Sequence, residues 1–286
     1  MERERIIVIV VPGRLDRAFY KRFLMLLAKI IDAEYIDLDE SRNQEEKHSL
    51  LSQLYKPVLP TQRVRLKASA LLLSKGGSRL AIIIISSEGD PVGVAAAIIG
   101  YQIGLREPSI DAIIVAEDAE DKKFEERLQA LRDSLASQEP LLGETFRKRN
   151  SQVRKGHYYE EYVLGEHPEL KLLLVAQGVK EVEEIVNVTK HAVEDYIIVT
   201  KGDTIMNILN LLQRGSCIPL QELLGNKRSL HKKLAQLVAI MHCSTGIEEF
   251  IYQGISSDDV RRLIDINDAL KRIKEIIEQM LGEQRL

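Results

Sequence analysis

The chain has 286 residues, 45% of them apolar and 29% charged, with a formal net charge of −3. That is enough apolar material for one large core or two ordinary ones, and the near balance of charge excludes a globally basic nucleic-acid binder while leaving room for a local basic patch. Cys217 and Cys243 stand apart without metal-ligand spacing, which argues against a disulfide framework or a zinc site. The apolar run Ile6–Val11 is too short for a signal-peptide core or a membrane span. A cytoplasmic protein with no membrane partner is expected. Abundant Ile, Glu, Lys and Arg without any Trp fit a thermophilic source.

In chain order, Ile6–Val11 is a continuous β-branched run and predicts a fully buried strand. Leu15 to Ile31 carries Phe19, Phe23, Leu26, Leu27, Ile30 and Ile31 at helical spacing and predicts a core-facing helix. Tyr35–Leu38 alternates like a short strand. Leu66–Leu73 reads as a helix ended by Lys75-Gly76-Gly77. Ala81–Ile85 predicts a second buried strand, closing in Ser86-Ser87-Glu88-Gly89-Asp90-Pro91 before a small-residue helix from Val92 to Ile103. Ala112–Val115 predicts a third strand and Lys122 to Leu135 an amphipathic helix. Alternation of strand and helix in this order implies α/β architecture, a Rossmann-like parallel sheet with helices on both faces.

Past Pro140 the pattern loosens. Arg147 to His157 is basic and predicts a loop or hairpin; Tyr158–Leu164 and Leu170–Val175 predict strands. Tyr196–Val199 suits a strand by composition, yet Val193, Tyr196 and Ile197 share one helical face. From Thr204 the chain is mostly helical, with Asp258–Leu281 as one long segment. The organisation expected is an α/β domain over 1–140, a basic loop and further strands completing the sheet over 141–203, and a helical part over 204–286.

Two apolar strands stop in acidic loops before helices, at Pro12-Gly13-Arg14-Leu15-Asp16 and at Glu117-Asp118-Ala119-Glu120-Asp121. Carboxyl ends of parallel strands are where ligands bind, and carboxylates gathered there need a cation. The run from Ile9 to Asp16, entering a helix at Phe19, resembles the opening motif of Toprim domains, a strand followed by Glu-Gly-x-x-Asp and a helix. The stretch Ile113–Asp121 resembles that family's second motif, a strand ending in Asp-x-Asp. The likeness covers about 6–140. It is nearest to archaeal Toprim-like proteins and to overcoming-lysogenization-defect-type nucleases. Pro12 stands where the family has its glutamate, so the resemblance implies weak or lost strand cleavage.

On that resemblance, Asp16, Asp118 and Glu120 are the catalytic candidates, and Asp16, Asp118, Glu120 and Asp121 the ligands of Mg²⁺ or Mn²⁺. From the residues alone, Asp16 and Asp118–Asp121 serve equally well as acids at helix N-termini. Ser86, Ser87, Glu88, Gly89 and Asp90 form a candidate nucleotide- or phosphate-binding loop; a capped helix start with Pro91 at its first position is the other reading. Glu194, in Val193-Glu194-Asp195-Tyr196, is a further candidate acid. Arg147, Lys148, Arg149, Arg154 and Lys155, beside His157, Tyr158 and Tyr159, form the densest basic run and are candidate nucleic-acid contacts. Three functions are compatible with these features. They are a degenerate metal-dependent nuclease or nucleic-acid-binding protein, a non-catalytic scaffold or homo-oligomer joined through the C-terminal helices, and a nucleotide-binding α/β protein.

Overall fold

The computed structural model describes residues 4–55, 66–87, 90–105, 109–147, 152–164, 167–186, 191–215 and 230–282. Strands β1 (Arg5–Val11), β2 (Glu34–Asp37), β3 (Leu66–Lys75), β4 (Ser78–Ser87), β5 (Ala112–Asp118), β6 (Gln152–Lys155), β7 (Tyr159–Leu164) and β8 (His167–Gln177) form one 8-stranded sheet. Their order is β2-β3-β4-β1-β5-β8-β7-β6. The central strands β4, β1, β5 and β8 run parallel. These are the continuous Ile, Val and Leu runs, and such runs suit strands covered on both faces. The outer strands pair antiparallel. The sheet is therefore mixed, and the expectation of a parallel sheet describes its centre.

The helix expected over Leu66–Leu73 is instead strand β3, antiparallel to β4 from Leu66↔Ser87 to Lys75↔Ser78. Alanine and leucine favour a helix in isolation, but pairing with β4 and burial of Ala70, Leu71, Leu72 and Leu73 outweigh a propensity of tenths of a kcal/mol per residue. Gly76 and Gly77, at φ 57° and 87°, are the two-residue hairpin turn rather than a helix cap. Both positions need positive φ, which glycine adopts without a steric cost.

The helices are α1 (Arg14–Ile30), α2 (Gln44–Tyr55), α3 (Pro91–Ile103), α4 (Phe124–Gln138), α5 (Pro140–Arg147), α6 (Val182–Val186), α7 (Glu194–Thr200), α8 (Gly202–Gly215), α9 (Leu230–Met241), α10 (Ile247–Gly254), α11 (Ser257–Ile266) and α12 (Asp268–Gly282). The ambiguous stretch around Tyr196 is thus helical. Side chains alternate across a strand, and β7 shows which helix lies on which face. Glu161 meets Arg272 of α12, whereas its neighbours Glu160 and Tyr162 meet Arg132 of α4. Helices α3, α4 and α5 cover that second face. On the first, α1 lies against β3 and β4, and α10 and α11 pack onto α1.

The long segment expected over Asp258–Leu281 breaks at Asn267, which is fully buried. Its Oδ1 accepts from the Leu270 amide, and its Nδ2 donates to the Gly178 carbonyl just past β8. The side chain thus caps α12 and ties that helix to the end of a central strand. Phe250, Ile251, Val260, Leu263, Ile273, Ile276 and Ile277 are buried inside the chain. These apolar residues of α10, α11 and α12 belong to the chain's own core, whereas Met206 of α8 and Ile240 and Met241 of α9 are exposed. No helix among the described residues is long and apolar enough to cross a membrane.

Candidate functional site

Strand β1 leads into α1 on one face of the sheet, and the adjacent β5 leads into α4 on the other. Alternation at the end of β5 shows this directly. Glu117 turns to Arg127 of α4, Nη2 to Oε2 2.8 Å, whereas Asp118 turns toward α1. The crevice between such strands is the topological switch point, where open α/β sheets bind ligands.

Asp16, in the first turn of α1, is 5% exposed. Asp118 is the last residue of β5, and its partner in the β5–β8 register is Gln177, the last of β8. The Gln177 amide nitrogen donates to both carboxylates, 2.8 Å to Asp16 Oδ1 and 3.3 Å to Asp118 Oδ1. The two acids are therefore no farther apart than two hydrogen bonds sharing one nitrogen. The Val193 amide also donates to Asp118 Oδ1 at 3.3 Å. That bond places the start of α7, with Glu194, beside the pair.

The electrostatics follow from the burial. Desolvation pushes the Asp16 carboxyl up to about 6, opposed by its hydrogen bonds from Gln177 and from backbone amides, and reinforced by Glu194. Asp118 is held well above the ordinary carboxylate range, by burial first and then by Asp16 and Glu194. One turn after Asp16, Tyr20 is fully buried and its hydroxyl has no partner. Its pKa is raised by burial first, then by Tyr196, Asp16 and Asp118. Tyr196 stacks on Phe19 at 4.5 Å, and its hydroxyl accepts from the Gly178 amide at 3.4 Å.

The remaining acids sit farther out. Glu120 is exposed at φ 53° and its backbone pairs with His191, N–H to O 2.8 Å and 2.9 Å. It acts on Asp118 only as a minor neighbouring charge. Asp121 is exposed in the following turn. No group of three or more His, Cys, Asp or Glu side chains positioned to hold a metal occurs among the described residues.

Ser86 and Ser87 are buried at the end of β4. The Ser86 hydroxyl donates to the Lys67 carbonyl at 3.4 Å, and the Ser87 hydroxyl has no partner. Asp90 caps α3 by accepting from the Gly93 amide at 2.8 Å, with Pro91 at the first helical position. Glu88, Gly89, Lys148 and Arg149 lie outside the described residues. Arg147 is exposed in the last turn of α5. Arg154 and Lys155 occupy the edge strand β6, facing Glu275 at 3.3 Å and Glu160 at 3.5 Å. The hairpin turn after Lys155 returns to the β8 end, where the Lys180 amide donates to the Tyr158 hydroxyl at 3.1 Å.

Three residues of the site escape a reading of motifs. Gln177 is a single polar residue after an apolar run, and its Oε1 is buried without a partner. Gly178 has φ 126°, and a Cβ there would lie 2.5 Å from His191 Cβ and 3.0 Å from Asp195 Oδ2. His191 is buried between Asp195, 2.8 Å from its Nδ1, and Glu183, 3.1 Å from its Nε2. Burial pushes its pKa down, but those two partners outweigh it and leave the imidazole raised. The one available signal is Gly178 just past an apolar run, since glycine punctuates the end of an element.

Compared with protein-family models, with curated proteins and with solved structures, the chain matches none.

Proposed function

We propose that this chain is a Toprim-like protein of nucleic-acid metabolism. In this reading Asp16 and Asp118 hold one Mg²⁺ or Mn²⁺ at the switch point. The observation that carries it is the meeting of the buried Asp16 and the half-buried Asp118 carboxylates on a single amide nitrogen. Two acids held this close disfavour joint ionisation, and a divalent cation is the partner that relieves them. The orphaned Gln177 Oε1 and Tyr20 hydroxyl are the polar groups expected of a site built around a further ligand. A cation bound there supplies charge stabilisation to phosphate oxygens.

The chain's own residues divide the remaining work. Gln177 orients the carboxylate pair. Glu194, whose charge reaches both Asp16 and Asp118, is the acid best placed to handle a proton where Pro12 offers none. Arg154 and Lys155 are about half exposed, paired with Glu275 and with the buried Glu160, and their exposed parts can contact a phosphate backbone. Substitution by Pro12 favours binding, or slow cleavage, over a fast nuclease. The test is calorimetric titration with Mn²⁺ on the wild type, Asp16→Asn and Asp118→Asn, beside a Mn²⁺-dependent nuclease assay on single- and double-stranded DNA. Binding in the wild type and its loss in both variants is expected. No heat with millimolar Mn²⁺ in the wild type overturns the proposal.

A further inference from the structure

We propose that the Gln177 side-chain amide is a built-in place-holder for the divalent cation: its NH₂ bridges Asp16 and Asp118 in the cation-free site, and a half-turn of the amide presents Oε1 as a neutral ligand when the cation enters. This rests on the reading that the site takes a cation. It adds a ligand that the Toprim resemblance does not supply, and a switch between two states of the same pocket.

The geometry is specific. An amide NH₂ has two N–H donors, and here one nitrogen serves two carboxylates. Its positive end therefore lies between two carboxyl groups, the place from which a cation would favour ionisation of both. The cost is on the other atom. Gln177 is fully buried, and its Oε1 finds no donor. A buried carbonyl left unpaired is costly, so the arrangement is one-sided. The reverse orientation would press Oε1 against two carboxylate oxygens and is repulsive until a cation stands between them. With a cation present the preference inverts, and all three oxygens turn to one centre. The terminal torsion of glutamine is broad and two-fold, so the half-turn exchanges N and O within nearly the same volume.

The backbone leaves the side chain little else to do. Gln177 is pinned by its register with Asp118 and by the tight Gly178 exit. Asp16, Gln177 and Tyr20 are buried, while Asp118 and Glu194 are only partly buried and give access from solvent. Two carboxylates and a carbonyl are hard oxygen ligands, which suit Mg²⁺ or Mn²⁺ rather than zinc or copper.

The test is NMR of the full chain, deuterated and labelled with ¹⁵N in glutamine side chains, with the Gln177 resonances assigned by their loss in Gln177→Met. Without metal, both amide protons should be downfield and protected from exchange. Saturating Mg²⁺ should shift them and speed their exchange at least tenfold. In parallel, calorimetry should show Gln177→Met weakening Mn²⁺ binding by roughly tenfold or more, and Gln177→Glu retaining or tightening it. If the wild type binds Mg²⁺ while both amide protons stay unchanged, the place-holder idea is wrong and the cation site stands. Equal Mn²⁺ affinity in a folded Gln177→Met leads to the same conclusion. A wild type that binds neither metal removes both proposals. Should Gln177→Met fail to fold, Gln177→Glu supplies the assignment, and the wild-type spectra decide.

Discussion

Replacing Asp16 by asparagine should stabilise the folded chain without metal, and only above about pH 5. The Asp16 carboxyl is raised from its ordinary 3.8 to about 6, chiefly by burial and further by Glu194. A folded pKa above the unfolded one means that the folded chain holds the proton more tightly. The contribution to stability is complete below about pH 4, falls as pH rises through about 6, and is flat above. Two pK units correspond to about 3 kcal/mol of differential stability. Asparagine keeps the shape and an oxygen to accept from Gln177, but has no charge to bury. Urea unfolding in EDTA, followed by circular dichroism, should show Asp16→Asn and wild type within about 0.5 kcal/mol of each other near pH 4. By pH 8 the variant should lead by about 2–3 kcal/mol. The difference between the two curves isolates this group from others that titrate. A variant less stable than wild type at pH 8 would refute the argument that burial of an uncompensated charge dominates this site.

Other positions give sharp expectations. Gly178→Ala forces a side chain onto a backbone at φ 126° and into His191, and should cost at least about 2 kcal/mol in chemical unfolding. Arg272 is bidentate on Glu161, at 2.8 Å and 3.0 Å, with both side chains buried. Arg272→Met alone should lose about 3–5 kcal/mol, because it strands a buried carboxylate, while the double change Glu161→Leu with Arg272→Met should recover most of that. Glu194→Gln removes a charge that raises both central acids, so the titration of Asp16 followed by ¹³C NMR should move down from about 6. An unmoved midpoint would place Glu194 away from the pair.

Much of the sheet's centre could be read from the chain because β1, β4 and β5 are unbroken β-branched runs, and burial on both faces permits little else. Asp16 is the first acid after such a run, whereas Asp118 follows Glu117 and is marked out only by its place in an Asp-x-Asp-like motif. The rest depended on contacts between distant segments. Nothing local tells Leu66–Lys75 that β4 will pair with it across Gly76-Gly77, so helix propensity misleads there. Gln177 looks like an ordinary end to an apolar strand until the β5–β8 register sets it opposite Asp118. Asn267 interrupts an otherwise helical pattern, and its reason is the Gly178 carbonyl, 89 residues away in the chain. Glu120 has the spacing of an Asp-x-Asp-like motif, yet the turn that pairs its backbone with His191 leaves it exposed.

On the proposed function, the β1 and β5 ends form one cation site. Anomalous diffraction at the manganese edge, from crystals grown with Mn²⁺, addresses it directly. A peak touching a carboxylate oxygen of both Asp16 and Asp118 in the wild type, absent from Asp16→Asn crystals, is the predicted result. Well-ordered wild-type crystals that show no peak between these two side chains would contradict the account.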